Sequence, residues 1–223
     1  SGRFTVWEGI SLRWYSAALN DPQLAEGLLN SVIIAIVASV LATVIGTMAA
    51  YGMWKRSARV LEGGMLLSLV TPEIVTGVSL LALFQWVFRF LHLHLGMYTV
   101  IIAHVAFSIA YVMIVVSARL RGVDRSLEEA AMDLGANQWC AFFRVTLPGI
   151  LPAVIAAALL ALVVSFDDYV ITSLVAGVDS ETLPMVIYAM ARRCVSPMVN
   201  AVSALILVLF GALIVLAERM REQ

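Results

Sequence analysis

Gly27–Trp54 runs for 28 residues without a charged side chain. About 20 apolar residues at ~1.5 Å rise each cross a hydrocarbon core, so this stretch can span a bilayer. Inside lipid every backbone N–H and C=O needs a partner within the segment, and a helix supplies one. Four more stretches read the same way. Gly64–Phe88 is interrupted only by Glu73, Leu95–Ala118 carries no charge beyond one on His104 if protonated, and Val195–Ala217 is clean; Gly149–Phe166 is apolar until Asp167 and Asp168 intrude, and Tyr169–Val178 resumes. Composition points the same way, with 62% hydrophobic and 13% charged residues against roughly 45–50% and about 25% in soluble domains. The expected fold class is all-α, a polytopic helical membrane protein with five spans, forming a single transmembrane domain over residues 1–223.

About thirty residues cannot sit in lipid: Arg119–Pro148, RLRGVDRSLEEAAMDLGANQWCAFFRVTLP. The positive-inside tendency puts this loop in the cytoplasm. The inner segments then hold Lys55, Arg56, Arg59, Arg119, Arg121, Arg125, Arg144, Arg219 and Arg221, and the outer ones only Arg3, Arg13, Arg89, Arg192 and Arg193. The N-terminus falls outside and the C-terminus inside. Cys140 and Cys194 are on opposite sides, so they cannot pair with each other. An outside start with neither initiator Met nor signal peptide leads us to expect an earlier helix, six spans in the intact chain. The outer surface segments are 1–26, with interfacial Phe4, Trp7, Trp14 and Tyr15 and a turn at Asn20-Asp21-Pro22, and 179–197, with an amphipathic stretch Pro184–Arg193.

Ionisable groups within the spans are the first candidates for function, since each costs roughly 2.5–3.5 kcal/mol at the bilayer centre unless it faces a cavity or a partner. Glu73 follows Thr71-Pro72, where proline removes a backbone hydrogen bond. Its depth, ~14 Å from Gly64, matches that of His104 counted from Leu95, so the two are within possible reach. Glu73 reads either as a hydrogen-bonded or protonated structural group or as a pathway residue, and His104 as an interior histidine. Asp167 lies ~27 Å along its helix from Gly149, and adjacent helical residues point ~100° apart, so one Asp can face a pore while the other packs. A water-filled path lined by carboxylates favours an organic cation and repels an anion. The alternative is a helix that ends there with both Asp in water. His92 and His94 lack further ligands and do not make a metal site.

Within the wet loop, Leu127, Ala130, Ala131 and Leu134 fall at i, i+3, i+4, i+7, one face of a helix. Ser126 is an N-cap candidate with Glu129 three residues on, and Gly135 ends the helix. A second short apolar stretch, Trp139–Val145, precedes the span starting at Leu147-Pro148. This pattern resembles the cytoplasmic loop of ABC-importer permeases, EAA, three residues, Gly, nine residues, Ile, any residue, Leu-Pro. The chain has Glu129-Ala130-Ala131, Gly135, then Val145 for Ile, Thr146 and Leu147-Pro148. TPEIVTGVSLL, RSLEEAAMDLGA, FDDYVITSLVAG, ETLPMVIYAM and VSPMVNA together resemble the spermidine/putrescine branch, most of all its putrescine-type subunit.

The resemblance implies a type I importer permease of the bacterial inner membrane. Its loop, through Glu128, Glu129, Ala130, Ala131, Asp133, Leu134, Gly135, Ala136, Leu147 and Pro148, would dock into a separate ATPase dimer. Its partners would be that dimer, a second homologous permease, a periplasmic substrate-binding protein and membrane lipid, with no nucleic acid. The sequence contains no G-x-x-x-x-G-K-[ST] phosphate loop, so ATP and Mg would bind the partner and this chain would hold no cofactor and have no ATPase site. The substrate path would use Asp167, Asp168, Glu73 and Tyr169. Related permeases carry opines or aminophosphonates, which leaves another small solute open; a self-contained ion-coupled transporter using Glu73 and His104 is a further alternative.

Overall fold

The computed structural model describes residues 13–56, 59–91, 93–193 and 197–208. Phe4, Trp7, Arg3, His92, Cys194, Arg219, Arg221 and the ends of the expected span Val195–Ala217 lie outside them. All regular structure among the described residues is helical: α1 Arg13–Leu19, α2 Pro22–Lys55, α3 Arg59–Val70, α4 Glu73–Leu91, α5 Met97–Leu120, α6 Arg125–Asp133, α7 Gln138–Ala141, α8 Leu147–Asp167, α9 Val170–Val175, α10 Leu183–Arg193 and α11 Pro197–Val208. A π-helical turn, Phe142–Thr146, joins α7 to α8.

Four stretches among the described residues are long and apolar enough to cross a membrane: Pro22–Lys55, Glu73–Phe90, Met97–Leu120 and Gln138–Asp167. Three of their boundaries differ from expectation. α2 starts at Pro22, where Asp21 accepts hydrogen bonds from the backbone N–H of Gln23 (2.9 Å) and Leu24 (3.1 Å), so capping chemistry sets the helix start before the charge-free run begins. The predicted span Gly64–Phe88 is two helices, because the residue before a proline is disfavoured in helical geometry and Thr71-Pro72 separates α3 from α4. Glu73 therefore opens α4 instead of lying inside a continuous span. At the other side, Leu147-Pro148 opens α8 but does not open the span. The helical path is unbroken from Gln138 to Asp167, with the π turn inserted in it.

The chain divides into two compact units, Ser31–Ser180, and Ser1–Asn30 with Glu181–Gln223. In the smaller, Asn30 donates to the carbonyl of Glu181 at 3.0 Å, and Gly27 gives α10 room, since a Cβ there would lie 3.0 Å from Val186 Cγ2. In the larger, α5 is the central helix, packed against α3, α4, α8 and α9. One buried cluster, towards the loop end, holds Ala42, Tyr51, Val112, Val116, Leu120, Phe142, Ala157 and Ala161. A second joins Ile34, Phe84, Val100, Ala103, Ile171 and Val175. Small side chains permit the close approach that holds membrane helices together. A Cβ on Gly46 of α2 would sit 2.8 Å from Val112 of α5. The opposite face of α2 exposes Leu29, Ile36, Val40, Val44 and Ile45. That face suits lipid.

Candidate functional site

Two places in the larger unit gather the polar groups expected to function. The first is the loop. α6 begins two residues earlier than expected, because Asp124, not Ser126, is its N-cap: the Asp124 carboxylate accepts from the Ser126 N–H at 2.9 Å. That bond holds the Asp124 pKa below its ordinary value. The helix closes in a Schellman arrangement, with Gly135 N–H bonded to Met132 O at 2.9 Å and Ala136 N–H to Ala131 O at 3.1 Å. Gly135 takes φ +93°, which only glycine adopts without strain. Asn137 then caps α7 by accepting from the Cys140 N–H at 2.7 Å.

α6 presents one face outward. Leu127 is 58% and Leu134 90% exposed, and Glu129, Ala130 and Asp133 are exposed with them. Glu128 turns the other way and is 1% exposed. Its Oε1 lies 2.5 Å from the Tyr51 hydroxyl and 2.7 Å from Lys55 Nζ, both on α2. Its Oε2 accepts from the Thr146 hydroxyl at 2.9 Å. Burial acts to raise the Glu128 pKa, but hydrogen bonds from Lys55, Tyr51 and Thr146 and the charge of Lys55 outweigh it and hold the carboxyl below its usual 4.5. The loop is tied down twice more, by Arg125, whose guanidinium donates to Trp54 O and stacks over its ring, and by Arg119, which donates to Gly149 O at 3.2 Å. Leu147 is half-buried and Pro148 exposed where α8 starts.

The second place is a cavity of 470 Å³ at the α3–α4 break and the α8–α9 break. Glu73, Asp167, Asp168 and Tyr169 all line it, together with Phe107, Tyr111, Ser68, Thr71 and Thr76. Glu73 and Asp167 are exposed, whereas the Asp168 side chain is only 7% exposed. Asp168 accepts from Thr172 N–H at 2.8 Å and from the Thr172 hydroxyl at 2.7 Å, which starts α9. His104 sits behind it, 1% exposed, with Nδ1 2.6 Å from Ser165 Oγ and Nε2 2.9 Å from Thr172 Oγ1 and 3.4 Å from Asp168 Oδ2. The depth argument for a Glu73–His104 contact is not met. Both ring nitrogens of His104 are taken by α8 and α9, because azimuth, not depth, selects the partner.

Three anchors of Glu128 and two of His104 were absent from the sequence reading of the site. Thr146 occupies the variable position before Leu147-Pro148, and Tyr51 is 77 residues from Glu128. Neither carries a local signal. Lys55 registers in the sequence only as a topology charge.

Apolar spans around a polar cavity, with two helix breaks that bring acids to it, are the features of a helical membrane protein. Residues 42–222 match the family described as binding-protein-dependent transport system inner membrane component, and the chain belongs to that family. It is 43% identical over 209 residues to the putrescine transport system permease protein PotI of Escherichia coli (strain K12), covering 91% of this chain and 74% of that one. It is 37% identical to the spermidine/putrescine transport system permease protein PotC of Haemophilus influenzae, over 95% of this chain and 82% of that protein. In fold it matches a chain of the inward-facing MetNI methionine ABC transporter (TM-score 0.72, 18% identity, 88% of this chain and 94% of that one). It also matches a chain of a bacterial ABC transporter involved in import of the acidic polysaccharide alginate (TM-score 0.66, 17% identity, 100% and 83%). The fold is that of type I ABC importer permeases.

Proposed function

We propose that this chain is one of two homologous permease subunits of an ATP-driven importer that moves polyamines, putrescine or spermidine, across the bacterial inner membrane. The observation that carries the cargo is the cavity in which Glu73, Asp167 and Asp168 meet Phe107, Tyr111 and Tyr169. An alkyl diammonium ion combines separated positive charges with an apolar stem. Carboxylates attract its ends, and aromatic faces accept both ammonium groups and methylenes. The names of the relatives support the same choice over an anionic solute.

The partners follow from the outward face of α6. Its exposed Leu127, Ala130 and Leu134 with Glu129 suit a groove on a separate ATPase dimer, on which ATP and Mg bind, while this chain carries no cofactor and no catalytic centre. A binding protein outside would deliver the polyamine. An ion-coupled transporter built on Glu73 and His104 is disfavoured by the engagement of His104 with Ser165 and Thr172.

Uptake of labelled putrescine by cells carrying the complete transport system tests this reading. Asp167→Asn is expected to lower uptake strongly, and excess unlabelled spermidine to compete where an anionic solute does not. Unchanged uptake in Asp167→Asn would sink the acidic path.

A further inference from the structure

The two adjacent acids of α6 meet different surroundings, Glu129 being exposed to solvent and Glu128 buried in the protein. We infer that Glu128 is a positioning residue that converts movement of the docking helix into movement of α2 and α8 together, and so couples hydrolysis on the partner to the acidic cavity. The inference rests on the proposed function and goes beyond it to the force path inside this chain.

One carboxylate joins three elements. Oε1 takes Tyr51 at 2.5 Å and Lys55 at 2.7 Å on α2, and Oε2 takes Thr146 at 2.9 Å at the end of the π turn. Filling this space with an apolar side chain beside Tyr51 and Phe142 would serve stability as well, since buried ion pairs are often matched or exceeded by hydrophobic replacements. What an apolar side chain cannot do is fix direction. Hydrogen bonds of both oxygens hold α6 in one register against two helices at once.

The π turn gives this link a place to act. Such turns are rare, and the extra residue in the ladder marks a point where helical register is open to change. From Thr146 onward α8 runs for 21 residues, about 31 Å, to Asp167. A shift imposed on Thr146 is carried along that helix to Asp167 and Asp168 at the cavity. Outward-facing Leu127 and Leu134 lie on the side of α6 that a partner would push.

The test uses the complete complex of permeases, ATPases and binding protein in lipid vesicles, measuring ATP hydrolysis and putrescine uptake on the same preparation. Glu128→Leu is expected to keep hydrolysis while uptake per ATP falls about tenfold, the scale of an altered coupling network. Glu128→Gln, which keeps an acceptor, should restore part of that ratio. Thr146→Val cuts only the tie to α8 and leaves Lys55 and Tyr51 in place, so it decides the matter if Glu128→Leu does not assemble: the ratio should again fall. A ratio unchanged in Thr146→Val and Glu128→Gln, with hydrolysis and uptake following the amount of assembled complex, would overturn the link. If instead the wild-type complex takes up putrescine without ATP, the proposed function fails first, and the link falls with it.

Discussion

Thr172 gives Asp168 two hydrogen bonds, one from its backbone N–H at 2.8 Å and one from its hydroxyl at 2.7 Å. Asp168 thereby ties down the first turn of α9 and partners buried His104, whereas Asp167, one residue earlier, faces the cavity without such ties. The two acids should separate by experiment. Asp168→Ala removes the acceptor of the Thr172 N–H and hydroxyl in the first turn of α9 while His104 keeps Ser165 and Thr172, at a cost of about 1–3 kcal/mol for a buried group left unpaired. We expect a clear fall in the melting temperature of the purified protein. Asp167→Ala should leave melting unchanged within error and lower putrescine uptake; equal loss of stability in both variants would contradict this division.

The glycines next to that site predict a ranking. A Cβ on Gly177 would lie 2.0 Å from the carbonyl oxygen of Leu95, a backbone atom that cannot step aside. One on Gly77 would meet the Cδ1 of Leu174 at 2.6 Å, the end of a side chain that can change rotamer. Gly177→Ala should abolish accumulation of folded protein, and Gly77→Ala should reduce it only in part. Size-exclusion yield from membranes reads both. The reverse order would mean that α4 and α9 pack more rigidly than the α5 entry loop.

At the loop, Gly135 holds φ +93° at the end of α6. A side chain there costs about 1–2 kcal/mol in the left-handed region, least for Asn. Because the cost falls on the turn between α6 and α7, Gly135→Ala should weaken retention of the ATPase during purification more than it lowers the melting of this chain alone. Gly135→Asn should restore most of it. Full retention in Gly135→Ala would show that the turn geometry does not matter for docking.

What the sequence disclosed and what it hid follow from the range of each interaction. Charge-free length reports the spans, because lipid imposes it residue by residue, and the 3.6 period with Gly135 reports α6. Those signals are local. The division of Gly64–Phe88 was half visible, since Pro72 is in plain sight, but whether it kinks or ends a helix depends on what the freed backbone meets. The inward turn of Glu128 was not visible at all: it stands beside the motif acid Glu129, and only the arrival of Tyr51 and Thr146 from 77 and 18 residues away sets it apart. For the cavity, sequence depth brought out Glu73, Asp167 and Asp168 but assigned His104 the wrong neighbour to test.

The Glu128 anchor also makes a prediction about pH. Its carboxyl is held below 4.5 in the folded protein by Lys55, Tyr51 and Thr146 in spite of burial. A depressed pKa means the folded state binds the proton less readily than the unfolded one, so the stabilisation is complete above the unfolded value, about 4.5, and is lost as pH falls through the lower folded value. The wild type should therefore melt higher than Glu128→Gln by a margin that stays constant from pH 8 down to about pH 5 and shrinks only in more acidic buffer. Thermal melts of the two proteins in the same detergent across that range measure the margin. Were the margin to close between pH 7 and 5, the carboxyl would be titrating above its ordinary value. Burial would then outweigh the three donors, and Glu128 would not be the charged tie that joins α6 to α2 and α8.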